Sequence, residues 1–212
     1  AHLTLNDATH DISHEVTVLK EENPFDKLKE AMDSVTYESL TSESADKLKK
    51  SIVLPLSHDN GTSITWSSDD ESVISSTGKT TRADETKSVT LTAKFNYNGY
   101  EDEKSFTFTV LLNDSAMVDN DLAKFTVNTE TTEDFYLPMS GEDYQTTFTW
   151  VSSDTARIKI RELSEKYRAE VIRPVYEAGD CVVTLTLTAI NGTESRTLAY
   201  PVKVLKQESD KD

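Results

Sequence analysis

Two tyrosines, Tyr97 and Tyr100, flank the dipeptide Asn98-Gly99, which is a strong signal for a β-hairpin turn. An aromatic ring at a loop tip offers apolar contact area with little conformational entropy to lose, which suits a carbohydrate face or a protein partner. The alternative is structural: Tyr97 continues an inward-facing series begun by Phe95, and Tyr100 packs across the hairpin. The sequence leaves both interpretations open, with Tyr97 and Tyr100 as the candidate ligand-binding residues.

A second group of polar side chains lies near the middle of the chain, where Asp119, Asn120 and Asp121 follow Asn113-Asp114. Carboxylate and carbonyl oxygens are the ligands that Ca²⁺ prefers, so Asp119 and Asp121 are candidate calcium ligands that would stiffen a linker. The spacing does not match an EF-hand loop, and an Asp/Asn-rich linker is commonly a turn or a helix cap instead. Calcium is therefore a hypothesis, and no other cofactor is expected.

Side chains suited to catalysis are sparse. The chain has four histidines, and no cysteine accompanies any of them at zinc-site spacing. The sequence contains no nucleophile elbow, P-loop or dinucleotide fingerprint. Acidic pairs are frequent simply because Asp and Glu total 38, so they do not identify a glycosidase pair. We therefore expect no enzymatic activity.

The charge of the chain excludes two classes of partner. Its net charge is −16, which repels nucleic acid and anionic lipid headgroups because both require Lys and Arg to displace counterions.

No apolar run approaches the ~20 residues of a membrane span, so membrane insertion is not expected. The single cysteine, Cys181, allows no intramolecular disulfide. That favours a cytosolic protein or a secreted protein of a Gram-positive bacterium.

An internal repeat indicates which elements position these residues. Residues 63–69 return as residues 147–154, with Trp66 and Trp150 at the same point of each copy. Residues 89–93 return as residues 183–187, so the second copy gains residues between its Trp and its late strands, near residues 161–169. Each Trp lies in a run where apolar and polar residues alternate, and it recurs at the same point of each copy. We therefore expect each Trp to be a core residue rather than a sugar-stacking platform.

The repeated runs read as strands, because apolar residues alternate with polar ones along them. A partial third copy opens the chain, where residues 3–5 and 16–19 match the closing hairpin of the other copies. The alternative is a private N-terminal strand of the first domain. Residues 24–32 have helical spacing, with Asn23 as an N-cap, and residues 44–50 are a second helix candidate.

These motifs resemble a known family. The order Leu-Pro, Ile-Thr-Trp-Ser-Ser, Val-Ile, Gly-Lys-x-x-Arg, Val-Thr-Leu-Thr-Ala and Phe-Thr-Phe-Thr-Val resembles bacterial immunoglobulin-like domains, most closely the atrophied subgroup. The first copy carries them at Leu54-Pro55 and at residues 64–68, 73–74, 78–82, 89–93 and 106–110. The second copy keeps Leu137-Pro138 and Arg173-Pro174 but lacks the Gly-Lys turn.

The resemblance implies an all-β fold of tandem immunoglobulin-like β-sandwiches, with one or two short helices at the start of the first full domain. We predict four segments. They are the closing hairpin of a preceding copy (1–22), a first domain (23–112), a second domain (113–206) and an acidic tail (207–212).

Fold alone does not fix a function, so the functional expectation comes from the family resemblance. It implies a non-catalytic spacer or stalk of a larger secreted or surface-attached bacterial protein, with other modules of the same polypeptide as its partners. Those modules would be catalytic, carbohydrate-binding or adhesive. The alternative is a module that itself binds a polysaccharide, a glycan or a host ligand through exposed loop aromatics. The expected location is extracellular or at the cell surface, and neither nucleic acid nor a membrane is an expected partner.

Overall fold

A computed structural model describes residues 2–5, 8–11 and 22–209. At the start, β1 (His2–Leu5) pairs antiparallel with β2 (Ala8–Asp11). The expected pairing of residues 3–5 with residues 16–19 is not tested, because residues 16–19 lie outside the described residues. The assignment of residues 1–22 to a preceding copy therefore stays a prediction.

The first domain has a helical start and one antiparallel sheet of three strands. Its elements are α1 (Pro24–Ser34), α2 (Tyr37–Leu40), β3 (Ser63–Ser68), β4 (Lys87–Tyr97) and β5 (Tyr100–Val110). The Asn23 side chain accepts from the Phe25 N–H at 3.1 Å and caps α1, as predicted. The mostly β fold with short helices at the start of this domain is thus confirmed.

The predicted helix over residues 44–50 is wrong. This segment lies beside β5, where Leu48 pairs in parallel with Val110. The Thr109 N–H donates to the Ala45 carbonyl at 2.7 Å, and the Leu48 N–H donates to the Thr109 carbonyl at 2.9 Å. Pairing with the sheet edge satisfies backbone groups that an isolated helical turn would leave to water, so tertiary context outweighs the local helical pattern.

The second domain begins with a helix and has two sheets. Its elements are α3 (Asp114–Leu122), β6 (Glu130–Thr131), β7 (Phe135–Pro138), β8 (Thr147–Ser152), β9 (Ile158–Glu162), β10 (Lys166–Val171), a 3₁₀ turn (Tyr176–Ala178), β11 (Cys181–Asn191) and β12 (Glu194–Val204). One sheet has the order β6-β12-β11-β8 and the other the order β7-β10-β9. The short strand β6 runs parallel to the end of β12.

The additional residues of the second copy build most of its second sheet. Residues 161–169 belong to the hairpin of β9 and β10, whose register places Arg161 opposite Arg168. In the first domain the corresponding region has only single bridges such as that between Ile74 and Thr80. The two-sheet sandwich is therefore complete only in the second domain, and the first covers its single sheet with helices and irregular segments.

Each domain has its own hydrophobic core, and each core contains one tryptophan. Trp66 is 9% exposed and Trp150 is 6% exposed, which confirms that both are core residues. The indole N–H of Trp66 donates to the Pro55 carbonyl at 2.8 Å, and that of Trp150 donates to the Pro138 carbonyl at 2.9 Å. The Leu-Pro motif therefore recurs because it supplies the acceptor that a buried indole needs.

Within the ranges given above, no helix has the length and apolar character needed to cross a bilayer.

Candidate functional site

The connection between the two domains is short and fully bonded. β5 ends at Val110 and α3 begins at Asp114, which leaves Leu111, Leu112 and Asn113 between them. The N–H of Leu111 donates to the Leu48 carbonyl at 2.9 Å, and that of Asn113 donates to the Ala83 carbonyl at 2.7 Å. The N–H of Leu112 donates to the Thr86 hydroxyl at 3.4 Å. All three N–H groups of the connection are therefore held by the first domain.

Arg82 joins this connection to the next domain. Its Nε donates to the carbonyls of Leu111 and Leu112 at 3.2 and 3.1 Å. Its Nη1 lies 2.7 Å from an Asp114 carboxylate oxygen, and the side chains of both residues are largely buried, at 17% and 21% exposure. A planar guanidinium has five donors in a fixed geometry, so one arginine can bond the connection and the helix that follows. We call Arg82, Asp114 and residues 111–113 the joint.

Asp114 is enclosed on its other side by the β11–β12 turn. A Cβ added to Gly192 would lie 2.0 Å from an Asp114 carboxylate oxygen, and Gly192 has a φ of +57°. A side chain at this position would therefore displace the carboxylate from Arg82. The Asn191-Gly192 dipeptide, which forms the turn of this hairpin, thus also leaves room for the ion pair of the joint.

The helix α3 is fixed to the second domain by further contacts. Arg196 on β12 donates to the Ser115 hydroxyl at 2.5 Å. Val118 is fully buried in the core of the second domain. Met117 is also fully buried, and its Sδ lies 3.6 Å from Arg82 Nη2. One helix therefore contacts both domains, with its first turn at the joint and its later residues in the second core.

The structure gives Asp121 a role other than an exposed metal ligand. Asp121 is 1% exposed. One of its carboxylate oxygens accepts from the N–H groups of Asp143 and Tyr144 at 3.0 and 3.2 Å, and the other accepts from the Thr146 N–H at 3.0 Å. Burial alone would raise the pKa of Asp121, but these hydrogen bonds outweigh it and hold the pKa below its usual value.

Asp119 lies in a different environment from Asp121. Its side chain is 62% exposed, and a carboxylate oxygen lies 3.6 Å from Arg196 Nε. Residues 119–121 belong to α3 rather than to an open linker. Among the described residues, no group of three or more His, Cys, Asp or Glu side chains is arranged to hold a metal ion. The calcium hypothesis at Asp119 and Asp121 stays a prediction that the arrangement of these two carboxylates does not favour.

The two candidate tyrosines differ in exposure. Tyr97 is half-buried at the edge of the first core, and its hydroxyl donates to Glu22 at 3.1 Å. Tyr100 is 48% exposed and packs edge-on against Phe25, which is 60% exposed, with ring centroids 5.4 Å apart. The exposed aromatic pair is therefore Tyr100 with Phe25, a partner that the sequence assigned only to the helix α1.

The joint was not foreseen from the sequence, although one signal for it was present. Arg82 is the last residue of the Gly-Lys-x-x-Arg motif, and Arg173 is the arginine retained in the second copy. A repeated arginine after a turn, in a strongly acidic chain, is a candidate for a buried contact rather than for a solvated surface. Its carbonyl partners are far away in the sequence, so only the fold shows them.

Comparison with solved structures finds distant likenesses. Mouse cadherin-23 EC22-24 is 12% identical with a TM-score of 0.38, and the match covers 78% of this chain and 64% of that one. A titin Ig tandem is 12% identical with a TM-score of 0.24, covering 74% and 86%. An endo-fucoidan hydrolase of glycoside hydrolase family 107 is 12% identical with a TM-score of 0.29, covering 69% and 24%. These likenesses carry no argument about function.

A search of curated proteins found no match. The model of one family, described as the atrophied bacterial Ig domain, matches residues 28–113 and again residues 112–207. Ig-like domains are generally non-catalytic and typically extracellular. Because the two matches together span most of the chain, this protein belongs to the atrophied bacterial Ig domain family, in two tandem copies.

Proposed function

We propose that this chain is a spacer of a larger secreted or surface-attached bacterial protein, in which it holds neighbouring modules at a set orientation. The modules would be catalytic, carbohydrate-binding or adhesive parts of the same polypeptide. The location would be outside the cell or at its surface, in a Gram-positive bacterium. One observation carries the proposal: every N–H group of the three-residue connection between the domains donates to the first domain.

This connection differs from an ordinary linker. Domains that share a small interface are expected to move relative to each other, because a flexible linker keeps many backbone conformations. Here the backbone of residues 111–113 is fixed by hydrogen bonds, and Arg82 adds bonds to two of its carbonyls and to Asp114. A fixed connection transmits the orientation of one domain to the next, which is the property that a spacer needs.

The proposal is tested by the distance distribution between spin labels on the two domains. Glu103 and Lys159 are exposed and suit replacement by cysteine, with Cys181→Ser to remove the native thiol. The parent chain should give one narrow distribution. Arg82→Ala should broaden it by about twofold, because the ion pair and the hydrogen bonds to two carbonyls are lost.

Two further variants make the result specific. Asp114→Asn removes the charge of the ion pair and leaves the carbonyl bonds of Arg82 in place, so it should broaden the distribution less than Arg82→Ala. Arg161→Ala is the matched control, because Arg161 pairs with Glu170 on the exposed β9–β10 hairpin. A broad distribution in the parent chain, or an unchanged one in a folded Arg82→Ala variant, would contradict the spacer role.

A second candidate function is binding of a glycan or a host ligand, and one observation favours it. Tyr100 and Phe25 form an exposed aromatic pair at one end of the first domain. Their rings meet at 69°, so they offer an edge and a face rather than one flat platform. A glycan array, or retardation in gels that contain soluble polysaccharides, tests this function.

Binding through this pair should be lost in Tyr100→Ala and kept in Tyr136→Ala. Tyr136 is a suitable control because it is also exposed, at 58%, and lies in the other domain. If the parent chain binds no member of a broad glycan panel, this second candidate function is excluded for glycans.

A further inference from the structure

The contacts that fix the joint recur at the end of the second domain. Arg173 Nε donates to the Leu205 carbonyl at 3.1 Å, as Arg82 Nε donates to the Leu111 carbonyl. Arg173 Nη2 donates to the Lys206 carbonyl. The Gln207 N–H donates to the Pro174 carbonyl at 2.8 Å, as the Asn113 N–H donates to the carbonyl after Arg82. The second arginine therefore organises the same stretch of backbone beyond the last strand.

A fourth contact is repeated with a change of residue type. The Lys206 N–H donates to the Asp180 carboxylate at 3.0 Å, where the Leu112 N–H donates to the Thr86 hydroxyl. Asp180 and Thr86 each precede the long strand of their domain. Hydrogen bonds to the carboxylate hold the pKa of Asp180 below its usual value.

The residues that follow also repeat. Counting from the last strand residue of each domain, Gln207, Glu208 and Ser209 stand at the positions of Asn113, Asp114 and Ser115. Glu208 is exposed, and among the described residues Arg173 has no ion-pair partner. An open cleft of about 390 Å³ lies at this edge, lined by residues that include Arg173, Tyr176 and Glu208. The arginine and the acidic residue are both present, but the ion pair of the first joint is not formed.

We propose that Arg173 and Glu208 are the two halves of a second joint, which receives the leading helix of a further Ig-like domain in the same polypeptide. The helix begins near Glu208, whose carboxylate pairs with Arg173 when the helix forms, as Asp114 pairs with Arg82. This proposal rests on the spacer role proposed above and adds the residues that continue the array.

Charge and continuity with the first joint support this occupant. An acidic residue in the first turn of a helix is favoured by the helix dipole and by the facing guanidinium at the same time. After Ser209 the chain carries Asp210 and Lys211, where the first joint has Ala116 and Met117. The second joint therefore depends more on its ion pair and less on apolar contact than the first does.

The experiment uses the full chain with one added domain. Residues 118–206 are appended after Lys211, so that Val118 follows the natural residues 207–211 in register. Spin labels at Lys159 of the second domain and at its copy in the added domain report their relative orientation, with Cys181→Ser in both. The parent should give a narrow distribution, and Glu208→Gln and Arg173→Gln should each broaden it by about twofold.

The variant Glu208→Gln keeps the test independent of folding. Arg173 also donates to backbone carbonyls, so its replacement can destabilise the second domain, whereas Glu208 is exposed and its replacement does not. The double variant Arg173→Glu, Glu208→Arg should give a narrower distribution than Arg173→Glu alone or Glu208→Arg alone. The control Arg161→Ala should leave the distribution unchanged. An unchanged distribution width in Glu208→Gln would overturn this inference alone. A broad parent distribution across the second joint, together with a narrow one across the first joint, would do the same. Broad distributions at both joints would overturn the spacer role as well.

Discussion

Asp121 occupies in α3 the position that Ala31 occupies in α1, since each lies eight residues after the asparagine that caps its helix. The Asp121 carboxylate accepts three N–H groups of the loop before β8. The Ala31 side chain has no acceptor to offer, and in the first domain the buried Thr62 hydroxyl before β3 has no hydrogen-bond partner among the described residues. In the first domain the Thr62 N–H donates instead to Asn60 Oδ1 at 3.0 Å, so the two domains fix the same loop with different acceptors.

Replacing Asp121 should unfold the second domain at lower denaturant concentration. Asp121→Ala leaves the N–H groups of Asp143, Tyr144 and Thr146 without their acceptor, and of these residues Thr146 is fully buried. The free energy of unfolding should fall by about 2–5 kcal/mol. Denaturation followed by Trp150 fluorescence in a Trp66→Phe background measures it. Asp119→Ala is the control, because that carboxylate is exposed and should change stability little.

The same carboxylate should make the second domain sensitive to acid. Its folded-state pKa is lowered, so its contribution to stability is present above the unfolded pKa of about 3.9 and is lost as the pH falls through the lower folded value. The difference in stability between the parent and Asp121→Asn should therefore be constant near neutral pH and shrink below about pH 4. Urea titrations at several pH values measure this difference. A difference that grows as the pH falls would contradict the assignment.

Gly141 should be intolerant of a side chain for a reason specific to the second domain. A Cβ at this position would lie 2.0 Å from the Asp121 Cγ. In the first domain His58 takes the place of Gly141, because its N–H donates to the Thr62 carbonyl as the Gly141 N–H donates to the Thr146 carbonyl. A side chain is tolerated there, where Ala31 stands in place of Asp121. We expect Gly141→Ala to destabilise the second domain by about 1–3 kcal/mol. In an Asp121→Ala background the added cost should largely vanish, so a double-mutant cycle should show a coupling of about 1–3 kcal/mol.

The two tryptophans allow each domain to be followed separately, because the chain has no others. Trp66→Phe removes a buried donor from the Pro55 carbonyl and leaves a small cavity, so the first domain should lose about 1–4 kcal/mol. The Trp150 fluorescence transition should move much less, because the two cores are separate. Circular dichroism gives the first transition. A large shift of the Trp150 transition would show that the domains unfold as one unit.

The sequence predicted the elements whose signal is local and repeated. Alternation along residues 89–95 and 183–189 predicted β4 and β11, and recurrence of the indole predicted its burial. The helix α3 was missed because its polar composition is typical of a linker. The signal for a helix is Asn113, whose side chain accepts from the Ala116 N–H and caps α3. The short strand-like pairing of Leu48 was missed because its partner, Val110, is 62 residues away.

The candidate sites were less predictable than the fold. Spacing alone grouped Asp119 with Asp121, but the helix turns one side chain to solvent and buries the other. Residue type grouped Tyr97 with Tyr100, but only Tyr100 is exposed, beside Phe25 from another element. Arg82 has its acceptors about 30 residues further along the chain, and no local pattern encodes a contact of that range.

In each domain a short early segment at the sheet edge pairs in parallel with the end of the last strand. In the first domain the segment around Leu48 pairs with the end of β5, and in the second domain β6 pairs with the end of β12. The early edge segment and the last strand of each domain therefore point the same way, although they lie near opposite ends of that domain's chain. When tension is applied along the polypeptide, these neighbours are pulled lengthwise in opposite directions. Their hydrogen bonds are then loaded in shear and share the force, rather than opening one after another like a zipper.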